Sequence, residues 1–289
     1  MRIIEPQRKL KKRRRSKKLP LIFIALALLV VGAVYVYSRL PEETTATQQR
    51  PEEVPYQSKP EAEINPAAAK FKYYSGNDFL KLYESIAYPN TQVMQTLPVI
   101  TGNAKADERI RTIALSRGYV LRSVPVASIT KTGEPRVSTD DLLQEKAYNA
   151  WQSLKEAAKA DGIPLQFSSG YRSVEMQREL FLGRLSASGV TYAQIANGSA
   201  DAAVVSVLKQ AALPGYSRHH TGYTMDLVCA NGAQSFEVTT CFKWLSDNNY
   251  LNAKKHGWIP SYPDGTDNQG PEPEPWEYVW VGLGPLVEN

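Results

Sequence analysis

Three short segments of this chain hold side chains suited to hydrolytic chemistry. The first is Ser169-Gly-Tyr-Arg-Ser173, with Gln177 four residues further on. An arginine presented at a strand-to-helix corner can clamp a carboxylate or a developing oxyanion with two parallel hydrogen bonds. The second is Ser217-Arg-His-His-Thr-Gly-Tyr-Thr-Met-Asp226, in which His219 and Asp226 are separated by Gly222, a residue that permits a turn. A histidine nitrogen and an aspartate oxygen brought together supply two of the three protein ligands of a catalytic zinc site. The third is Glu272-Pro-Glu-Pro-Trp-Glu-Tyr-Val-Trp-Val-Gly282, where Glu274 and Glu277 flank Pro275 and Trp276. Strict strand alternation puts these two carboxylates on opposite faces. They converge only if Pro275 introduces a bulge or turn. Trp276 reads as a core residue of a closing aromatic strand, with a platform for substrate as the alternative. A serine hydrolase built on Ser217, His219 and Asp226 is disfavoured, because no GxSxG nucleophile elbow is present.

Elements that could position these segments follow from apolar spacing. Asn77–Ile86 and Asp107–Ser116 have helical periodicity, Val120–Val126 reads as a strand, and a longer helix is expected over Asp140–Asp161 with Gly162 as its stop. Pro164–Phe167 then forms a short strand leading into the first segment, and Ser173 is placed to cap a helix over Val174–Arg184.

The chain has 289 residues and a formal charge of +5, but that charge is unevenly placed. Residues 1–18 hold ten Lys and Arg against the single acid Glu5, a surplus of nine, so the remainder carries −4. Next come twenty uncharged residues, Leu19–Ser38, enough at about 1.5 Å per residue to span a bilayer core of roughly 30 Å. The basic side predicts a cytoplasmic N-terminus, and the run lacks the small-residue cleavage site of a removed signal peptide. The expectation is a basic tail (1–18), a transmembrane anchor (19–38) in the cytoplasmic membrane and a Pro/Glu-rich disordered tether (39–72). The folded part then lies on the periplasmic or extracellular side. The basic cluster is a topology signal, and no nucleic-acid partner is expected. Cys229 and Cys241 are either a disulfide, favoured by an oxidising compartment, or two buried thiols.

Taken together, the three segments resemble the D-Ala-D-Ala carboxypeptidase/dipeptidase metallopeptidases, a family related to the vancomycin-resistance carboxypeptidases and the hedgehog-type fold. Its signature, S-G-Y-R-S with a following Gln, then S-x-H-x-x-G-x-x-x-D, then E-x-W-H, is matched in order from Ser169 to Trp276, all but its final histidine. The resemblance implies an α+β fold, a small antiparallel sheet with flanking helices. Residues 139–289 would form the metallopeptidase-like core, and 73–138 a helical N-terminal extension. It also implies zinc or another divalent metal on His219, Asp226 and the third-motif position, with Glu274 as general base. Arg172 would act on the oxyanion or substrate, and Gln177, Ser217 and Tyr171 would bind substrate. That substrate would be the D-Ala-D-Ala end of a peptidoglycan stem peptide, losing its terminal residue.

Three positions depart from the family pattern, one of them Pro273, which precedes Glu274 where an aromatic is usual. Glu277 stands where the family has its third histidine, and Ser261 stands where an arginine is frequent. Glutamate can still ligate zinc, but the formal charge of the centre falls from +1 to 0, which weakens the Lewis acid and favours harder metals. A slower enzyme, a different metal, or a domain that binds cell wall without cleaving it are the three expectations. His220 is the alternative to His219, and His256 reads as a loop or core residue.

Overall fold

The computed structural model describes residues 64–134, 141–230, 235–266 and 268–288. The basic tail, the anchor segment 19–38 and the tether up to residue 63 lie outside the described residues. Among the described residues no helix is long and apolar enough to cross a membrane.

The described part opens with helix α1 (Gly76–Ser85), started by a capping box in which Ser75 and Asp78 satisfy each other's backbone N–H groups. Strand β1 (Thr91–Val93), helix α2 (Ala104–Ser116) and strand β2 (Ser123–Pro125) follow. The strand expected over Val120–Val126 is thus confined to the three residues that pair with β1. Strands β3 (Thr130–Lys131) and β4 (Leu142–Leu143) pair with each other. That pairing is why helix α3 runs over Glu145–Ala160 and does not reach back to residue 140: Leu142 and Leu143 are used as strand. Its stop is as expected, with Gly162 in the left-handed region at φ 71°.

Strand β5 (Leu165–Ser169) leads to α4 (Val174–Ala187), capped by the Ser173 hydroxyl, which accepts from the Met176 N–H. Short α5 (Tyr192–Ala196) and α6 (Asp201–Leu208) precede a 3-10 turn at Arg218–Thr221 and strand β6 (Thr224–Cys229). Helix α7 (Thr240–Lys254), broken at Asp247–Tyr250, precedes β7 (Trp258–Tyr262) and β8 (Glu274–Trp280).

The central sheet has the order β5-β6-β8-β7 and is antiparallel throughout. On one face Met225, Leu227, Tyr278 and Trp280 pack with Trp151 and Leu154 of α3. Towards β7, the other face presents Ile259, Val279 and Val281 to Phe79 and Tyr83 of α1. A third cluster joins α2 to α4 and α6 through Ile110, Phe181 and Val204. This is the α+β architecture expected from the motifs.

Cys229 at the end of β6 is bonded to Cys241 in the first turn of α7, across a sequence separation of twelve. Closing a loop of that length stabilises the fold by about 3 kcal/mol. Replacing both cysteines with serine should lower the urea-unfolding free energy by about that amount.

Candidate active site

Each motif residue is set in place by local backbone geometry. At Gly170 the chain leaves β5 so close to β4 that an added Cβ would stand 2.2 Å from the Leu142 carbonyl oxygen, so only glycine fits. The Gly170 carbonyl accepts from Nδ1 of His219 at 2.6 Å, which turns Nε2 of that imidazole into the site. Gly222, at φ 76°, ends the 3-10 turn and sends the chain into β6, where Asp226 sits directly opposite Glu277 of β8. The two glutamates of the third motif meet through a bulge. Between the pairs Pro260–Tyr278 and Tyr262–Glu274, β7 advances two residues while β8 advances four. The surplus falls at Pro275-Trp276-Glu277, so Glu274 and Glu277 border the same cavity although they are three residues apart.

Ligand-type atoms of His219, Asp226 and Glu277 all lie within 4.8 Å of one another. Nε2 of His219 is 3.2 Å from Oε2 of Glu277 and 3.4 Å from Oδ1 of Asp226. Donors about 2.0–2.1 Å from one tetrahedral ion stand roughly 3.3 Å apart, so these spacings suit a shared divalent cation. Apart from the His219 ring nitrogen at 3.4 Å, the buried Asp226 Oδ1 has no hydrogen-bond donor, while its Oδ2 accepts from Ser169 Oγ at 2.6 Å. A buried carboxylate oxygen left without a donor is what a cation site requires of a ligand. Burial opposes charge on His219, yet the carboxylates of Asp226 and Glu277 outweigh it and raise the imidazole to about 10. The cluster therefore attracts positive charge strongly, and a metal ion would compete with that proton.

Beside these three residues is a cavity of about 130 Å³, also bordered by Arg172, Gln177, Ser217, Glu274 and Trp276. Burial, followed by the neighbouring Glu277 carboxylate, pushes Glu274 well above the usual carboxylate range. Arg172 donates to Gln177 Oε1 at 3.0 Å and lies 4.0 Å from Asp226. Gln177 in turn donates to the Ala212 carbonyl, so this glutamine holds the guanidinium in place.

Residues 140–283 match the family described as VanY, D-alanyl-D-alanine carboxypeptidase. Residues 140–283 are a VanY-type domain. A D-alanyl-D-alanine carboxypeptidase of Enterococcus faecalis is 36% identical over 187 residues, covering 63% of this chain and 63% of that protein. The Bacillus subtilis protein YodJ is 31% identical over 147 residues, covering 48% of this chain and 46% of its own. The chain thus spans less than two thirds of the length of both relatives. Among solved structures, VanYB in complex with D-alanine-D-alanine is 28% identical, covers 58% of this chain and 88% of its own, and has a TM-score of 0.42.

Several expectations are corrected in this VanY-type domain. Trp276 is not core: it is exposed and borders both the cavity beside His219 and a second one of about 280 Å³, lined also by Phe236, Leu227 and Cys229. Tyr171 does not border the catalytic cavity. Its backbone N–H donates to the Leu142 carbonyl, and it helps build the corner. His220 is not an alternative to His219, since Nε2 accepts from the Gly215 N–H at 3.0 Å and Nδ1 donates to the Arg172 carbonyl at 2.7 Å. His256 pairs with Ser153, away from the site. Residues the motifs did not single out for a role are Ser169, bonded to Asp226, and Ser261, which donates to Glu277 Oε1 at 2.6 Å. The unusual serine at 261 was the one visible signal for the latter.

Burial holds both His220 and His256 down at about 4. The folded chain keeps them neutral while the unfolded chain takes up protons below about pH 6.5. Their stabilising contribution is therefore complete above pH 6.5 and is lost as the pH falls towards 4. In His256→Gln, the slope of unfolding free energy against pH between 6 and 4.5 should fall, by up to about 1.4 kcal/mol per pH unit. Urea titrations of the metal-free protein at several pH values measure this.

Proposed function

We propose that this protein is a metal-dependent peptidoglycan D-alanyl-D-alanine carboxypeptidase, removing the terminal D-Ala of stem peptides. The observation that carries the reading is the convergence of His219, Asp226 and Glu277 beside Glu274 and Arg172 in one cavity. The three ligand-type residues would hold zinc or another divalent ion, which when bound supplies Lewis-acid polarisation of water and of the scissile carbonyl. Glu274, with its raised affinity for a proton, takes one from the attacking water and passes it to the leaving amine. Arg172, steadied by Gln177, binds the substrate's terminal carboxylate or the developing oxyanion. Ser217, buried at the cavity wall, is the neutral hydrogen-bonding group beside it.

The terminal alanine would occupy this cavity, against Arg172 and Ser217. The second cavity bordered by Trp276, of mixed polar and apolar lining, is where the preceding stem residues would lie. Glu277 was the reason to consider a wall-binding domain without activity. Its position among the ligand-type groups supports hydrolysis instead.

The protein is further proposed to sit in the cytoplasmic membrane through residues 19–38, with this domain outside. The Cys229–Cys241 disulfide supports an oxidising location for the domain. Incubating the purified full chain with a pentapeptide ending in D-Ala-D-Ala tests the activity. Released D-alanine, abolished by a chelator and restored by zinc, manganese or cobalt, is the expected result. No release with any of these metals would overturn it.

A further inference from the structure

Behind the Glu277 carboxylate lies a buried positive charge that the hydrolytic scheme does not use. Arg218 is fully buried, its guanidinium sandwiched 4.1 Å from the Tyr83 ring and 4.0 Å from the Tyr262 ring. Its Nη1 donates to Ser261 Oγ at 3.4 Å, and that hydroxyl donates to Glu277 Oε1 at 2.6 Å. A serine hydroxyl has one proton to give and lone pairs to receive, so it can serve both neighbours at once.

Among the described residues the acid within ion-pair distance of Arg218 is Glu84, whose Oε1 is 3.8 Å from Nη2. That carboxylate is clamped by Arg122, through bonds of 2.7 and 2.8 Å to its two oxygens. Two buried guanidinium groups thus face one carboxylate, and the cluster keeps one positive charge in excess. Nε and Nη2 of Arg218 have no hydrogen-bond partner. An arginine in that condition is costly to bury unless another negative group compensates it. Through Ser261, that group is Glu277.

We propose that Ser261 and Arg218 are positioning residues that make Glu277 a working metal ligand. Ser261 fixes one carboxylate oxygen, so that the other turns to His219 and the ion. Arg218 supplies behind the ligand the positive charge that a carboxylate removes from a centre where an imidazole would be neutral. The inference rests on Glu277 being a ligand, as proposed above, and goes on to say what allows a glutamate to serve there.

Zinc affinity of the full chain, measured by competition with a chromophoric chelator, tests this through a double-mutant cycle. Ser261→Ala should weaken zinc binding about 10–100-fold, the usual cost of losing a partner that orients a ligand. Ser261→Thr keeps the hydroxyl and should restore most of the affinity. In a Glu277→His background the same Ser261→Ala change should shift affinity by less than about twofold, the limit for uncoupled sites.

Equal losses in the two backgrounds, or no loss with Glu277 in place, would overturn the proposal. If Glu277→Ala leaves zinc affinity unchanged, the ligand assignment itself falls; if only the serine variants are silent, the ligand assignment survives and this inference alone fails. Arg218→Met should likewise cost more affinity with Glu277 than with histidine at 277. Thermal unfolding of the metal-free variants reports any loss of folding, and should Arg218→Met not fold, the Ser261 cycle decides.

Discussion

Replacing Glu274 with glutamine is expected to lower kcat about 10²–10⁴-fold while leaving the metal content of the protein unchanged. The amide keeps the volume of the side chain and its place on the β8 bulge, but cannot take a proton from water. Glu274 suits that role for two physical reasons. It is partly buried, and it stands beside Glu277, whose negative charge favours the protonated form of its neighbour. The two carboxyl groups are pushed in opposite directions: burial and the Glu277 charge raise Glu274, whereas the His219 imidazole outweighs burial and lowers Glu277. The lowered member remains an anionic ligand and the raised member handles protons. Single-turnover D-alanine release together with elemental analysis checks this. A rate loss below about tenfold, with metal retained, would place the proton acceptor elsewhere.

Removing the third ligand should act on a different quantity. Glu277→Ala is expected to weaken zinc by more than the roughly 10–100-fold that outlying partners cost, and D-alanine release should fall with metal occupancy. The mutation takes away the donor 3.2 Å from His219 Nε2 and leaves the Ser261 hydroxyl without its acceptor. His219 and Asp226 alone then face the cation. Adding metal in large excess should recover part of the activity of Glu277→Ala but none of that of Glu274→Gln, which separates a ligand from a proton carrier. Elemental analysis after dialysis against metal-free buffer gives the occupancy directly.

Much of this arrangement could be read along the chain, for local reasons. Gly170 and Ser173 mark a strand-to-helix corner because close approach and capping are properties of a few consecutive residues. Gly222 marks the turn between His219 and Asp226 in the same way. Pro275 between two glutamates marks the place where a bulge could bring them together, since proline cannot continue a regular ladder, and the bulge is there. What escaped reading depends on partners remote in sequence. Helix α3 starts late because Leu142 and Leu143 are recruited by Thr130 and Lys131. Trp276 looked like core because aromatic residues in a closing strand usually are, yet the bulge that unites the glutamates also turns this ring outward. The Glu84–Arg122–Arg218 cluster joins residues up to 134 positions apart with no shared motif. Only Ser261, out of place beside an out-of-place Glu277, hinted that two departures from the family pattern belong together.

The central claim is that a histidine, an aspartate and a glutamate, with no second histidine, form the metal centre of this VanY-family domain. A crystal of the zinc-loaded protein measured at the zinc absorption edge tests it most directly. The account predicts one anomalous peak held by His219 Nε2, an Asp226 oxygen and a Glu277 oxygen, each carboxylate contact at about 2.0–2.2 Å. A peak bound by His219 and Asp226 while Glu277 stays outside the coordination sphere would contradict it, as would the absence of any peak at these residues.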